Sequence, residues 1–120
     1  MIRAGDARVA WCNARQTASM RAVATALRTM AGLRERCMFC EDSRGTDIDH
    51  FWPMAMNRDK TFLWANLLWA CSGCNRAKAD QFATDDRGAP MFIDPTAEDP
   101  WEFLYYDEAT DNLAPAFDST

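Results

Sequence analysis

The sequence predicts a small α+β domain, and three observations carry that prediction. Apolar residues recur at helical spacing between residues 14 and 35. Short β-prone runs end at prolines or turn dipeptides. Two Cys-x-x-Cys pairs stand thirty residues apart. A chain of 120 residues is expected to form one domain, 1–120, with room for a modest core. Its 48% hydrophobic content fits a folded chain and argues against an acidic disordered one.

The first element is a helix over 14–35, where Met20, Val23, Leu27 and Met30 form one apolar stripe. Arg15, Arg21, Arg28 and Arg34 lie mostly off that stripe, as a soluble basic face or a phosphate-contacting one. Cys37-Met-Phe-Cys40 follows, then the turn-rich Glu41–Gly45. A strand is expected from Thr46 to Trp52, ended by Pro53, which cannot continue a central ladder. A loop over 54–63 leads to a second strand at Leu67–Ala70 and the Cys71-Ser-Gly-Cys74 turn. A short helix is expected from Cys74 to about Phe82, and strands at Met91–Ile93 and Phe103–Tyr106. Asp94-Pro95, Asp99-Pro100 and Asp111-Asn112 mark turns.

Charge is unevenly placed along the chain. The formal net charge of −5 is not that of a freestanding DNA-binding protein. Residues 1–40 nevertheless hold seven arginines against Asp6 and Glu35, about +5, while residues 83–120 hold ten carboxylates against Arg87, about −9. A polyanion is therefore expected to approach from the N-terminal helix side, away from the acidic C-terminal extension over 83–120. No apolar run is long enough to span a bilayer and no signal peptide is legible at the N-terminus, so a cytoplasmic protein is expected.

In a reducing cytosol the two pairs Cys37/Cys40 and Cys71/Cys74 read as metal ligands, not disulfides. Four thiolates close a tetrahedral structural Zn²⁺ site with no open position for water, so its role would be folding. Gly73 permits the sharp turn such a site needs, and Cys12 is left over as a free thiol. A Cys-x-x-Cys redox site and an iron–sulfur cluster are the competing readings.

The one histidine, His50, directly follows Asp49, and Asn75 and Lys78 occupy positions i and i+3 of the following helix. Asp49 and Asn75 offer the oxygen donors that Mg²⁺ or Mn²⁺ prefer. The absence of a second histidine excludes an imidazole-rich catalytic zinc site. A neutral imidazole is a suitable base for water attacking phosphorus, with a metal stabilising charge on the phosphate. One tension remains: strict alternation sends Asp49 and His50 to opposite faces of a strand, unless the strand bends or ends there.

The string DIDHFWP…WANLLWACSGCNRAKADQF resembles the ββα-metal core of HNH endonucleases that carry zinc-binding cysteine pairs. The resemblance implies a zinc-stapled core over 37–82 with His50 as general base and Asp49 as metal ligand. It makes Asn66 the residue that holds the loop and orients the histidine, and Asn75 the second metal ligand where the family often has histidine. The N-x8-N-R-x-K run is similar to that of the HNH domain of RNA-guided DNA nucleases. By the same token Lys78 would contact phosphate, and Arg76 beside Asn75 is a further candidate contact. CxxCE, DIDHFxP and the later DPxxEDP are similar to the HNH components of Septu-type and retron-associated anti-phage systems, whose nuclease works beside an ATPase subunit. The resemblance covers roughly residues 37–107, leaves the N-terminal helix unexplained, and implies that part of the usual C-terminal region is missing. It implies a metal-dependent endonuclease acting on DNA, or on RNA as the lesser expectation, in a defence complex.

The rival expectation is a catalytically inactive zinc-binding module that mediates protein or nucleic-acid contacts, supported by Asn75 and the acidic balance. Phe51, Trp52, Phe62, Trp64 and Trp69 could stack on bases, although core packing is the simpler expectation for most of them. Glu41 is expected either to orient a cysteine or to sit in solvent, and Asp47 to be a strand-face carboxylate or a ligand through water.

Overall fold

In a computed structural model of the chain, residues 4–78 and 81–116 are described. Two helices open the fold, α1 (Ala4–Ala14) and α2 (Ala18–Met30). The single helix expected over 14–35 is thus corrected at both ends. Thr17 explains the break. Its hydroxyl accepts the Met20 amide as the α2 N-cap and donates to the Ala14 carbonyl, closing one helix while opening the next. At the other end Gly32, at φ +95°, turns the chain away after Ala31 caps α2.

The centre is an antiparallel ribbon of β1 (Asp47–His50) and β2 (Leu67–Ala70), followed by helix α3 (Ser72–Lys78). Its register pairs Asp47 with Ala70, Ile48 with Trp69, Asp49 with Leu68 and His50 with Leu67. A two-stranded ribbon is marginal by itself, and here both faces are covered. Leu67 and Trp69 pack with Leu27 of α2, Trp11 of α1 and Ile48. On the opposite face Leu68 packs with Phe51 and Phe82, and Ala70 with Cys37 and Cys71. That double burial is why every residue of Leu-Leu-Trp-Ala is apolar and buried, a pattern more usual of central strands.

Strand β1 stops at His50, two residues short of the expected end, because Phe51 bonds back to the Asn66 carbonyl and the chain turns into its long loop. Helix α3 starts earlier than expected, at Ser72, and is described to Lys78; residues 79–80 lie outside the described part, and Gln81 and Phe82, expected to be its last residues, are not helical. The C-terminal segment carries a hairpin of β3 (Leu104–Asp107) and β4 (Asn112–Pro115). The strand expected at Met91–Ile93 is absent. That stretch is irregular, tied only by a bridge between Thr84 and Pro90 and by the Met91 amide on the Ala83 carbonyl. Its apolar residues, Met91 and Phe92, stay exposed, so no packing drives extension there. No helix among the described residues is long and apolar enough to cross a membrane.

One close approach fixes the ribbon's outer edge. A Cβ placed on Gly45 would sit 2.2 Å from the indole of Trp69, which is buried and leaves its Nε1 without a hydrogen-bond partner. Gly45→Ala is therefore expected to cost about 1–3 kcal/mol through overpacking, read as a lowered thermal midpoint of the metal-loaded protein.

Candidate functional site

Two groups of chemically capable residues flank β2. The first is the cysteine cluster. The sulfurs of Cys37, Cys40, Cys71 and Cys74 all lie within 4.8 Å of one another, and Cys40 Sγ is 3.9 Å from Cys71 Sγ. Zn–S bonds of about 2.3 Å require tetrahedral edges of about 3.8 Å, so the four thiols can hold a metal ion such as zinc. Backbone amides already face the sulfurs: Phe39 N–H lies 3.4 Å from Cys37 Sγ, and Cys74 N–H 3.4 Å from Cys71 Sγ. Glu41 contributes through its backbone. At φ +57° it turns the chain so that the amides of Ser43 and Asp42 lower the Cys40 thiol to about 7. Burial, and then the neighbouring sulfurs, push Cys74 up to about 12. Four thiolates repel one another until a cation joins them, so metal binding at this cluster releases protons. Cys12 is exposed on α1, apart from the cluster.

The second group surrounds the end of β1. His50 is 5% exposed. Its Nε2 lies 2.9 Å from the Thr61 carbonyl oxygen. A carbonyl oxygen only accepts, so Nε2 carries the proton and the neutral ring keeps its lone pair on Nδ1. Burial lowers the His50 pKa below the ordinary 6.5, partly opposed by the Thr61 carbonyl and the Asp49 charge, while the Lys78 charge reinforces the lowering. The imidazole is thus held neutral at pH 7 in one tautomer.

Asn66 organises the loop that supplies this contact. It is 2% exposed; its Oδ1 accepts the Trp52 amide at 2.7 Å, and its Nδ2 donates to the carbonyls of Trp52 and Lys60, each at 3.1 Å. One side chain therefore ties the loop's entrance to the residue just before Thr61. Thr61 is buried too, its hydroxyl donating to the Arg58 carbonyl.

Alternation along β1 holds to its end. Asp49 projects toward α3, where Lys78 Nζ lies 3.3 Å from Asp49 Oδ2 and donates to the His50 carbonyl at 2.5 Å. Both side chains of this ion pair are largely buried. Asp49 Oδ2 nevertheless accepts no hydrogen bond, so the lysine balances its charge without satisfying its lone pairs. Asn75 sits one turn before Lys78 on α3, half-buried; its backbone amide donates to the Cys71 carbonyl, while its side-chain amide makes none of the hydrogen bonds among the described residues. The fold thus brings Asp49 and Lys78 together on one side of the ribbon, with Asn75 one turn earlier on the same helix. The His50 ring turns to the other, meeting Trp11 edge-on at 4.3 Å between centroids.

The remaining expected residues fall into place by exposure. Arg76 is exposed on α3, and Lys78 points inward instead of toward solvent. Asp47 pairs with Arg15 at 2.9 Å. Phe51 and Trp69 are core residues and Trp52 is half-buried, whereas Phe62 and Trp64 are each 48% exposed. A cavity of about 930 Å³ opens between the cysteine turn and the C-terminal segment, lined by Phe39, Glu41, Trp101 and Leu104 among others, and does not reach His50. Two contributors escaped the sequence reading. Thr61 acts through a backbone carbonyl, which leaves no trace in residue type. Trp11 was legible only as an i, i+4 partner of Ala7 on a helix placed too far along the chain; both are buried. Comparison with family models, curated proteins and solved structures finds no match to this chain.

Proposed function

We propose that the protein is a metal-dependent endonuclease that hydrolyses phosphodiester bonds, DNA being the favoured substrate and RNA the alternative. The observation that carries this reading is the His50–Thr61 contact, which leaves a neutral imidazole with its basic nitrogen free on Nδ1. In the proposed mechanism His50 draws the proton from the attacking water, and Asn66 keeps the Thr61 carbonyl in place behind the ring. Asp49 and Asn75 would hold the divalent ion on the face of the ribbon opposite the His50 ring, so the reading requires the phosphate to lie across the end of β1, where the strand stops at His50. An under-satisfied carboxylate oxygen and a half-buried amide are the hard donors Mg²⁺ or Mn²⁺ accepts. Bound there, the ion supplies charge stabilisation for the phosphate and the leaving oxygen. Lys78 would exchange its Asp49 contact for a phosphate oxygen, with Arg76 adding positive charge from the exposed side of α3. The cysteine cluster holds structural zinc. By the resemblance described above, the enzyme would act as an effector of anti-phage defence beside an ATPase subunit. A net charge of −5 suits a nuclease to which a partner delivers substrate.

A second reading, a zinc module without catalysis, draws on the same ion pair, since Lys78 already neutralises Asp49. Divalent-ion titration separates the two: the nuclease takes up Mg²⁺ or Mn²⁺ beyond its zinc and loses that uptake on Asp49→Asn, whereas the module binds zinc alone.

The pH dependence of plasmid nicking tests the role of His50. The base must be neutral, and burial moves its pKa below 6.5, so the rate persists above that shifted value and is lost as the pH falls through it. Between about pH 4.5 and 9 the rate is expected to climb to a plateau, with its half-point below the ordinary histidine value. A rate flat across this range, or rising only in the alkaline half, would contradict His50 as the base.

A further inference from the structure

The neutral ring of His50 is the feature that best supports catalysis, yet the residue is only 5% exposed, too little for a phosphate to be seated against it as the chain is folded here. What covers it is α1. Trp11 stands edge-on against the imidazole at 4.3 Å and touches Phe62 of the loop at 5.8 Å, spanning the histidine from strand to loop. Trp11 is itself 5% exposed, and with Ala7 it provides the buried contact of the helix. Of the two N-terminal helices it is α2 that packs closely on β1 and β2, and among the described residues α1 makes no comparable contact with another element.

The attachment of α1 is weak in two further respects. A helix of eleven residues has little stability of its own and relies on tertiary contact. Trp11 itself packs with Trp69 in the core, but along the C-terminal end of the helix an open groove of about 200 Å³ runs past Arg15 and Met20 to Asp47 and Ile48 of β1. Its last turn leads into Arg15, Gln16 and the Thr17 cap, where helical geometry is interrupted. Among the described residues the ionic tie at that joint is Arg15 to Asp47 at 2.9 Å, with both side chains about half exposed.

We propose that α1 is an autoinhibitory lid: Trp11 closes the candidate active site over His50, the Arg15–Asp47 pair just past its last turn latches it, and the break at Gln16–Thr17 is its hinge. The proposal rests on the nuclease reading for its purpose, but its physical content is the accessibility of one imidazole. Because His50 is the only histidine of the chain, that accessibility can be read without any activity.

The test is carbethoxylation of the zinc-loaded full chain by diethylpyrocarbonate, followed as the hydroxylamine-reversible absorbance of modified imidazole, with His50→Ala as the blank. The parent is expected to react slowly, Trp11→Ala about tenfold faster or more, and Trp11→Phe close to the parent rate, in line with a locally opened state. Arg15→Glu sets two like charges beside each other at the latch and is expected to raise the rate without touching the core. It decides the matter should Trp11→Ala fail to retain zinc. A parent His50 that reacts as fast as a free imidazole, or an Arg15→Glu protein no faster than the parent, overturns the lid. Plasmid nicking is measured on the same samples: faster nicking by the opened variants supports lid and nuclease together. Faster carbethoxylation with no nicking leaves the lid standing and overturns the nuclease reading alone.

Discussion

Stripping the metal from the cysteine cluster is expected to unfold the central unit outright. Cys37 is fully buried and Cys71 nearly so, and the residues around them contribute little apolar area beyond Ala70 and the flank of Phe39. Without a cation, four sulfurs within 4.8 Å of one another repel as they ionise, and burial pushes the Cys74 thiol up to about 12. Structural zinc supplies about 10–16 kcal/mol of apparent binding energy, against a net stability of about 5–15 kcal/mol for a whole domain. The first quantity matches or exceeds the second, so the loss should be total in the β1–β2–α3 region. Metal analysis should find one zinc per chain. Chelation or Cys71→Ser should abolish the cooperative melt seen by circular dichroism, while Cys12→Ser, at an exposed thiol outside the cluster, should leave it unchanged. A metal-free protein melting at the same temperature as the loaded one would contradict the assignment.

The second large effect concerns His50. Its replacement is expected to lower cleavage by about 10²–10⁴-fold, the usual contribution of a general base. Alanine would also leave the Thr61 carbonyl without its donor and cost about 1–3 kcal/mol of stability. Gln is the more informative substitution. Its amide can donate to the same carbonyl, but it carries no base. Loss of nicking with a nearly unchanged thermal midpoint would assign the defect to chemistry, whereas restored activity in His50→Gln would reduce His50 to a structural residue.

How much of this was legible beforehand follows from which physical signals act locally. The cysteine cluster was readable because ligand spacing is a sequence property. Strand β2 was placed to the residue because its burial on both faces leaves a continuous apolar run between a loop and a turn. The N-terminal helix was misplaced because the stripe from Met20 to Met30 gives its period but not its end. The break at Thr17 depends on a side-chain cap, and that threonine looks no different from one inside a helix. The strand expected at Met91–Ile93 failed because β-prone residues extend only against a partner, and here only an isolated bridge forms. In the candidate site Asp49, His50, Asn66 and Asn75 stood out by type and spacing. The inward turn of Lys78, the Thr61 carbonyl and the Trp11 cover could not, since each depends on how distant segments meet.

The central claim is that His50 is the base of a phosphodiesterase, and nicking of supercoiled plasmid tests it most directly. Zinc-loaded parent and Trp11→Ala proteins would be incubated with Mg²⁺ or Mn²⁺, beside His50→Gln and a control of the zinc-loaded parent without added Mg²⁺ or Mn²⁺. The account predicts open-circular product from the parent, more of it from Trp11→Ala, and none from either control. Intact plasmid with the histidine shown to be uncovered, or nicking that survives His50→Gln, would contradict it.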